Sequence, residues 1–179
     1  MKATGIVRRV DDLGRIVIPK EIRRTLKIRE GDPLEIYTEK DGGVIFRKYS
    51  PMGEFQEFAE QMCQSMGSNL GRIAAISDRD AVIALSGAPK RELMDKPNSR
   101  ELETLMEQRK SYRYTPGNPR LPAAQGQDKY FLAAAAPIVS QGDLMGCVLL
   151  LSTQEEKVEE SDQKLVQTVA GFLGLQMES

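Results

Sequence analysis

Two short segments near the start of the chain are apolar on both faces of any strand that they form. Ile16-Val17-Ile18 and Val44-Ile45-Phe46 lack the alternation of polar and apolar residues that is typical of a half-exposed strand. A unit of about 50 residues has little surface with which to cover such strands on both sides. We therefore expect residues 1–50 to fold as an obligate dimer, in which each copy covers the strands of the other.

Turn-forming residues and a proline indicate where the elements of this segment begin and end. Asp11-Asp12-Leu13-Gly14 predicts a turn, because glycine tolerates positive φ. Pro19 cannot donate to a strand ladder, so it ends one strand and suits the first turn of a helix. Asp41-Gly42 favours a second tight turn. The predicted elements are strands over 5–10 and 15–18, a helix over 20–27, and strands over 34–38 and 43–48.

The formal charge of the chain is distributed unevenly. The whole chain carries −1, yet residues 1–29 hold nine basic and three acidic side chains. Residues 51–179 hold thirteen basic and eighteen acidic side chains. The chain thus has a basic head (residues 1–50) followed by an acidic body (residues 51–179). This distribution indicates that the head binds a polyanion.

The helix predicted after Pro19 concentrates this charge. At about 100° per residue, one helical face gathers four cations. They are Lys20, Arg23, Arg24 and Lys27. The planar guanidinium fork of arginine suits phosphates and guanine edges. A solvated face with ion pairs along the helix is the alternative, although Glu21 is the only acid on that helix.

Three strings of the segment resemble the AbrB-like swapped-hairpin DNA-binding domain: TGIVRRVDDLGRIVIPKEIRRTL, IREGDPLEIY and GGVIFRKY. The resemblance covers about residues 1–50 and implies a homodimer with interleaved hairpins that binds double-stranded DNA. It places the DNA-contacting arginines at Arg8, Arg15, Arg23 and Arg24, and Lys20 and Lys27 join them on the helical face. For Arg8 and Arg15 alone, a merely solvated role stays open.

Residues 51–55 predict a linker, and residues 56–179 predict a second domain of α+β class. Its order is helix (54–66), two strands (71–77 and 81–86), two helices (89–96 and 98–109), a loop (111–129), two strands (130–139 and 144–152) and a helix (158–177). This order predicts a central antiparallel sheet with flanking helices and is compatible with a GAF domain. Apolar stripes on the first and last helices predict self-association, and therefore a homotetramer. They consist of Phe55, Phe58, Met62 and Met66, and of Leu165, Val169, Phe172 and Leu173.

A swapped-hairpin head followed by a GAF-like domain resembles a family of transcription regulators of spore-forming bacteria. The resemblance implies a sequence-selective regulator that activates some sporulation genes and represses others. It also implies a place in the cytoplasm, on the nucleoid, and in the forespore. No apolar run reaches the roughly 20 residues that a membrane span needs.

Catalysis is not expected, and neither a metal nor a cofactor is expected. The chain has no histidine, which excludes Ser-His-Asp and Cys-His catalysis. Cys63 and Cys147 leave open a methionine sulfoxide reductase of GAF type, provided that their sulfurs can meet. An antitoxin-like swapped hairpin that regulates its own operator is the other alternative. The loop over 111–129 predicts a possible lid over a small-molecule pocket, but it lacks the sequence pattern of cyclic-nucleotide GAF domains.

Overall fold

The structure is a computed structural model that describes residues 4–178 of the chain. It divides into two compact units, which meet in sequence between Tyr49 and Ser50. Both units combine helices with antiparallel strands. The predicted α+β class is therefore confirmed.

The first unit contains one short helix and one hairpin. Helix α1 spans Lys20–Thr25, strand β1 spans Leu34–Thr38 and strand β2 spans Val44–Lys48. β1 and β2 pair antiparallel. The tight turn between them closes with a hydrogen bond of 2.8 Å from the Glu39 amide to the Gly43 carbonyl.

The predicted hairpin over residues 5–18 is only partly present. Its turn forms, with the Asp11 amide 3.0 Å from the Arg15 carbonyl and Gly14 at a φ of +76°. The flanking residues form no ladder, so the prediction of strands over 5–10 and 15–18 is wrong for a single chain. The reason is that β1 and β2 pair only with each other among the described residues, which leaves these flanks without a neighbouring strand.

Helix α1 ends earlier than predicted, at Thr25. Lys27 takes a left-handed φ of 51°, and the Ile28 amide reaches back 2.8 Å to the Arg23 carbonyl. This return bond closes a helix end in the way that a glycine usually permits. Lys27 occupies a position where glycine is common, so the sequence carried no glycine signal for this helix end.

The second unit contains five helices and five strands within its described residues, 50–178. The helices are α2 (Pro51–Glu54), α3 (Gln56–Leu70), α4 (Lys90–Leu93), α5 (Arg100–Glu107) and α6 (Glu160–Gln176). The strands are β3 (Ile73–Asp78), β4 (Val82–Ser86), β5 (Tyr112–Arg113), β6 (Phe131–Ser140) and β7 (Asp143–Ser152). They form one antiparallel sheet in the order β4-β3-β7-β6-β5.

Side chains of this sheet alternate between two apolar clusters. Along β7, Val148 and Leu150 join one cluster, whereas Leu149 and Leu151 join the other. Since successive side chains of a strand point to opposite faces, the clusters lie on the two sides of the sheet. Helices α3 and α6 cover the first face, and α4, α5 and residues 121–130 cover the second.

Several boundaries in this unit differ from the predicted ones. Pro51–Glu54 lies in the predicted linker but is helical, and its Met52 is fully buried in the second unit. α3 passes the predicted end at Gly67 and stops at Gly71, which has a φ of +63°. Gly67 serves packing instead, because a Cβ atom there would lie 2.8 Å from Ser86 Oγ.

The predicted loop over 111–129 is partly ordered by packing. It contains the short edge strand β5, and Tyr114, Ala123 and Ala124 are buried. The Tyr114 hydroxyl donates to Glu155 Oε1 at 2.9 Å. Pattern reading missed this order because proline, glycine and alanine carry no periodic signal. Among the described residues, no helix has the length and apolar character that crossing a membrane requires.

Candidate nucleic-acid interface

The first unit exposes most of its predicted DNA-contacting side chains. Five of the six are exposed to solvent: Arg8, Arg15, Lys20, Arg23 and Arg24. The sixth, Lys27, is half-buried and lies beyond the end of α1. The predicted face of four cations is therefore reduced to three on the helix.

The cations on α1 are held on a helix that buries none of its own residues. Pro19 precedes it and is the only buried residue among residues 4–49. Within the described chain, neither Arg23 nor Arg24 forms an ion pair, and the Thr25 hydroxyl of α1 donates to the Glu21 carbonyl at 2.9 Å. A face stabilised by internal ion pairs, which was the alternative, is thus not what α1 forms.

Lys27 belongs to a different arrangement. Its carbonyl accepts a hydrogen bond of 2.9 Å from Lys48 Nζ, and Lys48 also lies 3.5 Å from Asp32 Oδ2. The Asp32 side chain is only 3 % exposed. This network ties the segment after α1 to strand β2, so the Lys27 backbone has a structural role.

Arg15 is held at the turn by a residue that the sequence analysis did not single out. Asp11 Oδ2 accepts from Arg15 Nε at 2.8 Å, while Asp11 Oδ1 accepts from the amides of Leu13 and Arg15 at 3.0 and 2.8 Å. These bonds from Arg15 and Leu13 favour the charged form and lower the pKa of Asp11. An aspartate at the first position of a turn, four residues before an arginine, is the signal that could have revealed it.

The first unit also exposes an unusual amount of apolar surface. Among the described residues, twelve of the fourteen large apolar side chains that are exposed belong to it. Val7 is 87 % exposed and Val17 is 72 % exposed, although both are β-branched apolar residues. The twelve are Ile6, Val7, Val10, Leu13, Ile16, Val17, Leu26, Ile36, Tyr37, Val44, Phe46 and Tyr49. Apolar surface of this extent marks an interaction surface.

The two cysteines of the second unit lie apart. Cys63, on α3, is in the cluster under α3 and α6, whereas Cys147, on β7, is in the cluster on the other face of the sheet. Both are fully buried and free. Burial raises the pKa of Cys63 to about 12 and raises the pKa of Cys147 as well. The sulfurs cannot meet while the sheet is intact, and no group of side chains suited to a metal occurs among the described residues.

Two other features of the second unit are candidate binding surfaces. Phe58 of α3 and Phe172 of α6 pack with ring centroids 5.9 Å apart, and Phe172 remains 42 % exposed. A cavity of about 350 Å³ opens beside the start of α5. It is lined by Ser99, Arg100, Glu101, Pro122, Ala124, Gln125, Gly126 and Asp128.

Two protein families match the chain. Residues 54–178 match the family described as stage V sporulation protein T C-terminal, transcription factor. Residues 7–53 match the family described as antidote-toxin recognition MazE, bacterial antitoxin. The first match covers most of the chain, and the second covers the unit that carries the exposed cations.

Two curated proteins of Bacillus subtilis (strain 168) are similar to the chain. Stage V sporulation protein T is 47 % identical over 99 % of both chains. The transition state regulatory protein AbrB is 63 % identical over 51 residues, which are 28 % of this chain and 52 % of AbrB.

Two solved structures resemble the second unit in fold. The blue-light absorbing form of the PixJ GAF domain from Thermosynechococcus elongatus is 18 % identical, with a TM-score of 0.50 over 73 % of this chain and 89 % of that one. A type II free methionine-R-sulfoxide reductase from Thermoplasma acidophilum is 12 % identical, with a TM-score of 0.50 over 69 % of this chain and 94 % of that one. At these identities the likeness concerns the fold alone, and that fold is GAF-like.

Proposed function

The chain belongs to the stage V sporulation protein T family of transcription factors, and from this membership we propose that it regulates sporulation genes by binding double-stranded DNA. The observation that carries the proposal is the set of exposed cations on the first unit, Arg8, Arg15, Lys20, Arg23 and Arg24. The related AbrB supports it, because a solved structure of that protein's N-terminal part is described as a DNA recognition domain.

A homodimer of the first unit would form the DNA-binding surface. The exposed apolar side chains of residues 6–49 are the surface that a second copy buries, which is the arrangement expected from the two-faced strands. Burial of apolar area stabilises by roughly 25 cal/mol per Å², so an interface built from twelve large side chains supplies the stability that one copy lacks. A dimer also presents each cation twice, which matches the two half-sites of a symmetric operator.

The cations would divide the work of recognition. Phosphate contacts set the register of the protein on the duplex, and arginines that reach base edges supply sequence selectivity. Arg23 and Arg24 are in the last turn of α1, and both are exposed. Lys20, with its single ammonium group, is suited to a phosphate.

The salt dependence of DNA binding tests this proposal. Each phosphate that a cation neutralises contributes a slope of about −0.9 in log affinity against log salt. The Arg23→Ala, Arg24→Ala double variant should bind more weakly than the wild type and with a shallower slope. Lys40→Ala, on the exposed turn between β1 and β2, is the matched control and should leave the affinity for DNA and its salt slope unchanged. Wild-type affinity and slope in the double variant would contradict the proposal.

We further propose that the GAF-like unit joins two dimers into a homotetramer. Phe172 and Leu175 of α6 are its only exposed large apolar side chains among the described residues and lie about one turn apart on that helix, and Phe172 packs against Phe58. Linking the heads in this way raises their effective concentration on DNA. Phe172→Glu should convert tetramers to dimers in light scattering, whereas Gln64→Glu on the exposed side of α3 should not.

The proposal extends to location and regulation. A DNA-bound regulator acts in the cytoplasm on the nucleoid, and a sporulation regulator of this family would act in the forespore on activated and repressed genes. The GAF-like fold and the cavity beside α5 also support a role in sensing a small molecule.

Two other functions are less well supported. An antitoxin is favoured by the match of residues 7–53, but a folded body of 129 residues would replace the disordered tail expected of an antitoxin. A reductase is favoured by the fold of one neighbour. Against it, the two thiols are buried on opposite faces of the sheet. We therefore propose that the chain is not an enzyme, and we expect the purified chain to reduce free methionine sulfoxide no faster than its Cys63→Ala, Cys147→Ala variant.

A further inference from the structure

The Asp11 carboxylate makes three hydrogen bonds that combine two tasks. Oδ1 accepts from the Leu13 and Arg15 amides, which stabilises the turn over residues 11–15. Oδ2 accepts from Arg15 Nε at 2.8 Å, which fixes the side chain. The turn is closed independently by the backbone, from the Asp11 amide to the Arg15 carbonyl at 3.0 Å and from the Gly14 amide to the Asp11 carbonyl at 3.1 Å. The side-chain bond to Nε is therefore not needed to form the turn.

The contact engages only one of the five N–H groups of Arg15. A guanidinium has one N–H on Nε and four on its terminal amino groups. The bond to Asp11 uses Nε and leaves the terminal amino groups for a second acceptor. The Arg15 side chain is still 69 % exposed, so such an acceptor can reach it from solvent.

We infer that Asp11 is a positioning residue for DNA recognition, which holds Arg15 by Nε and presents its terminal amino groups to the duplex. This inference rests on the proposed DNA-binding function. An arginine that is already oriented loses less side-chain freedom on binding, and each ordered side chain of this kind changes affinity by about threefold or more. With one Arg15 in each copy of a dimer, the expected benefit is about tenfold.

Simple charge arithmetic makes the opposite prediction. An acid beside DNA repels phosphates, so its removal should tighten binding if charge alone matters. Asp12 provides the matched control, because it is the adjacent acid, is exposed and carries the same charge. Asp11→Asn retains an oxygen that accepts from the Leu13 and Arg15 amides, but it loses the second carboxylate oxygen that holds Nε.

The experiment uses the full chain and the duplex that the wild type enriches most strongly from a random-sequence library. We expect Asp11→Asn to weaken binding to that duplex by about tenfold, as for two disordered arginines. Asp12→Asn should bind as tightly as the wild type or more tightly. In an Arg15→Ala background, Asp11→Asn should have no further effect, because its target is gone. The Arg15 Nε–H signal in nuclear magnetic resonance should lose its protection from exchange in Asp11→Asn alone.

The outcomes separate the inference from the function on which it rests. Equal binding by Asp11→Asn and Asp12→Asn would overturn the inference while the DNA-binding function stands. An equal loss with and without Arg15, together with a lower melting temperature, would also overturn it, because Asp11 would then act on the turn only. Asp11→Ser, which keeps a turn-forming oxygen without charge, repeats the test if the asparagine variant does not fold. If the wild type enriches no duplex at all, the proposed function itself fails.

Discussion

The two units of the chain place their apolar side chains in opposite ways. In the second unit, two apolar clusters fill both faces of a five-stranded sheet, and only Phe172 and Leu175 remain exposed among its large apolar residues from 50 to 178. In the first unit, Pro19 alone is buried among residues 4–49, and twelve large apolar side chains face solvent. The body thus completes its core within one chain, whereas we propose that the head completes its core with a second copy.

This difference underlies the roles that we propose for the two regions, DNA binding by the head and assembly by the body. In the proposed dimer the head would gain its stability at the interface between copies, and that interface would also set the spacing of the exposed cations. In the proposed tetramer the self-contained body would hold the heads close to each other. The stability of the head should therefore depend on protein concentration, and that of the body should depend on its internal packing.

The largest effect is expected from a charge placed where the head is exposed in a single chain. Val17 is 72 % exposed, so Val17→Asp should be harmless if a single copy is the folded unit. If a second copy covers Val17, the buried and unpaired carboxylate should cost about 3–5 kcal/mol per copy. The measurement is denaturant unfolding of the head followed by hydrogen exchange of residues 4–49. Lys40→Asp is the control. Equal stability of the two variants would show that no second copy covers Val17.

A matched change in the body should behave differently. Leu150 is fully buried at the centre of the sheet, and Leu150→Ala should destabilise the body by about 3 kcal/mol through the lost contacts and the cavity left behind. The loss should be the same at all protein concentrations, because the core lies within one chain. A loss that disappears at high concentration would show that the body, like the head, depends on a second copy.

Two glycines of α6 differ in how closely they approach strand β6. A Cβ atom at Gly174 would run into the Val139 carbonyl on β6, whereas a Cβ atom at Gly171 would meet open space within the chain. Gly174→Ala should therefore cost about 1–3 kcal/mol by pushing the helix from the sheet. Gly171→Ala should leave the body as stable or stabilise it by up to about 1 kcal/mol, through better helix propensity. Thermal unfolding of both variants gives the comparison, and a similar shift in both would contradict the close approach of α6 and β6.

The last effect appears only in alkaline solution and concerns the thiol of Cys63. Its pKa is raised from 9.0 to about 12 by burial, so the folded body keeps the thiol neutral where the unfolded chain loses its proton. The stability that this provides is complete below about pH 9 and is lost as the pH rises towards 12, by about 1.4 kcal/mol per pH unit. Cys63→Ala should flatten that part of the stability profile. An unchanged slope between the two proteins would show that Cys63 is not held neutral.

Part of this structure could be predicted from the sequence, and the reasons are physical. Strand β1 was predicted at its observed bounds, Leu34–Thr38, and the long apolar strands β6 and β7 were predicted to within one residue at each end, because strong patterns and clear turns bound them. The early end of α1 was missed because Lys27 adopts a conformation that favours glycine. Strand β5 was missed because a two-residue edge strand is fixed by its neighbour β6 and not by its own composition.

The candidate site was predictable in its residue types but not in its arrangement. Charge and spacing identified Arg23 and Arg24, and the family resemblance added Arg15; all three are exposed. They did not reveal that Arg15 is held by Asp11, since the contact depends on the geometry of the turn. They placed Lys27 on the same helical face, where the structure does not put it. The exposure of these side chains was thus predicted better than their grouping on one surface, and their contact with DNA stays a prediction.

Whether two copies of the head complete one core can be tested on a separate fragment of residues 1–53. Its unfolding is measured over a wide range of protein concentrations. If two copies complete one core, the melting temperature should rise steadily with concentration, and light scattering should report dimers wherever the fragment is folded. Exposed apolar side chains such as Val7 and Val17 should then become protected only in the dimer. A cooperative transition at one temperature, in a fragment that light scattering shows to be a monomer, would contradict the account.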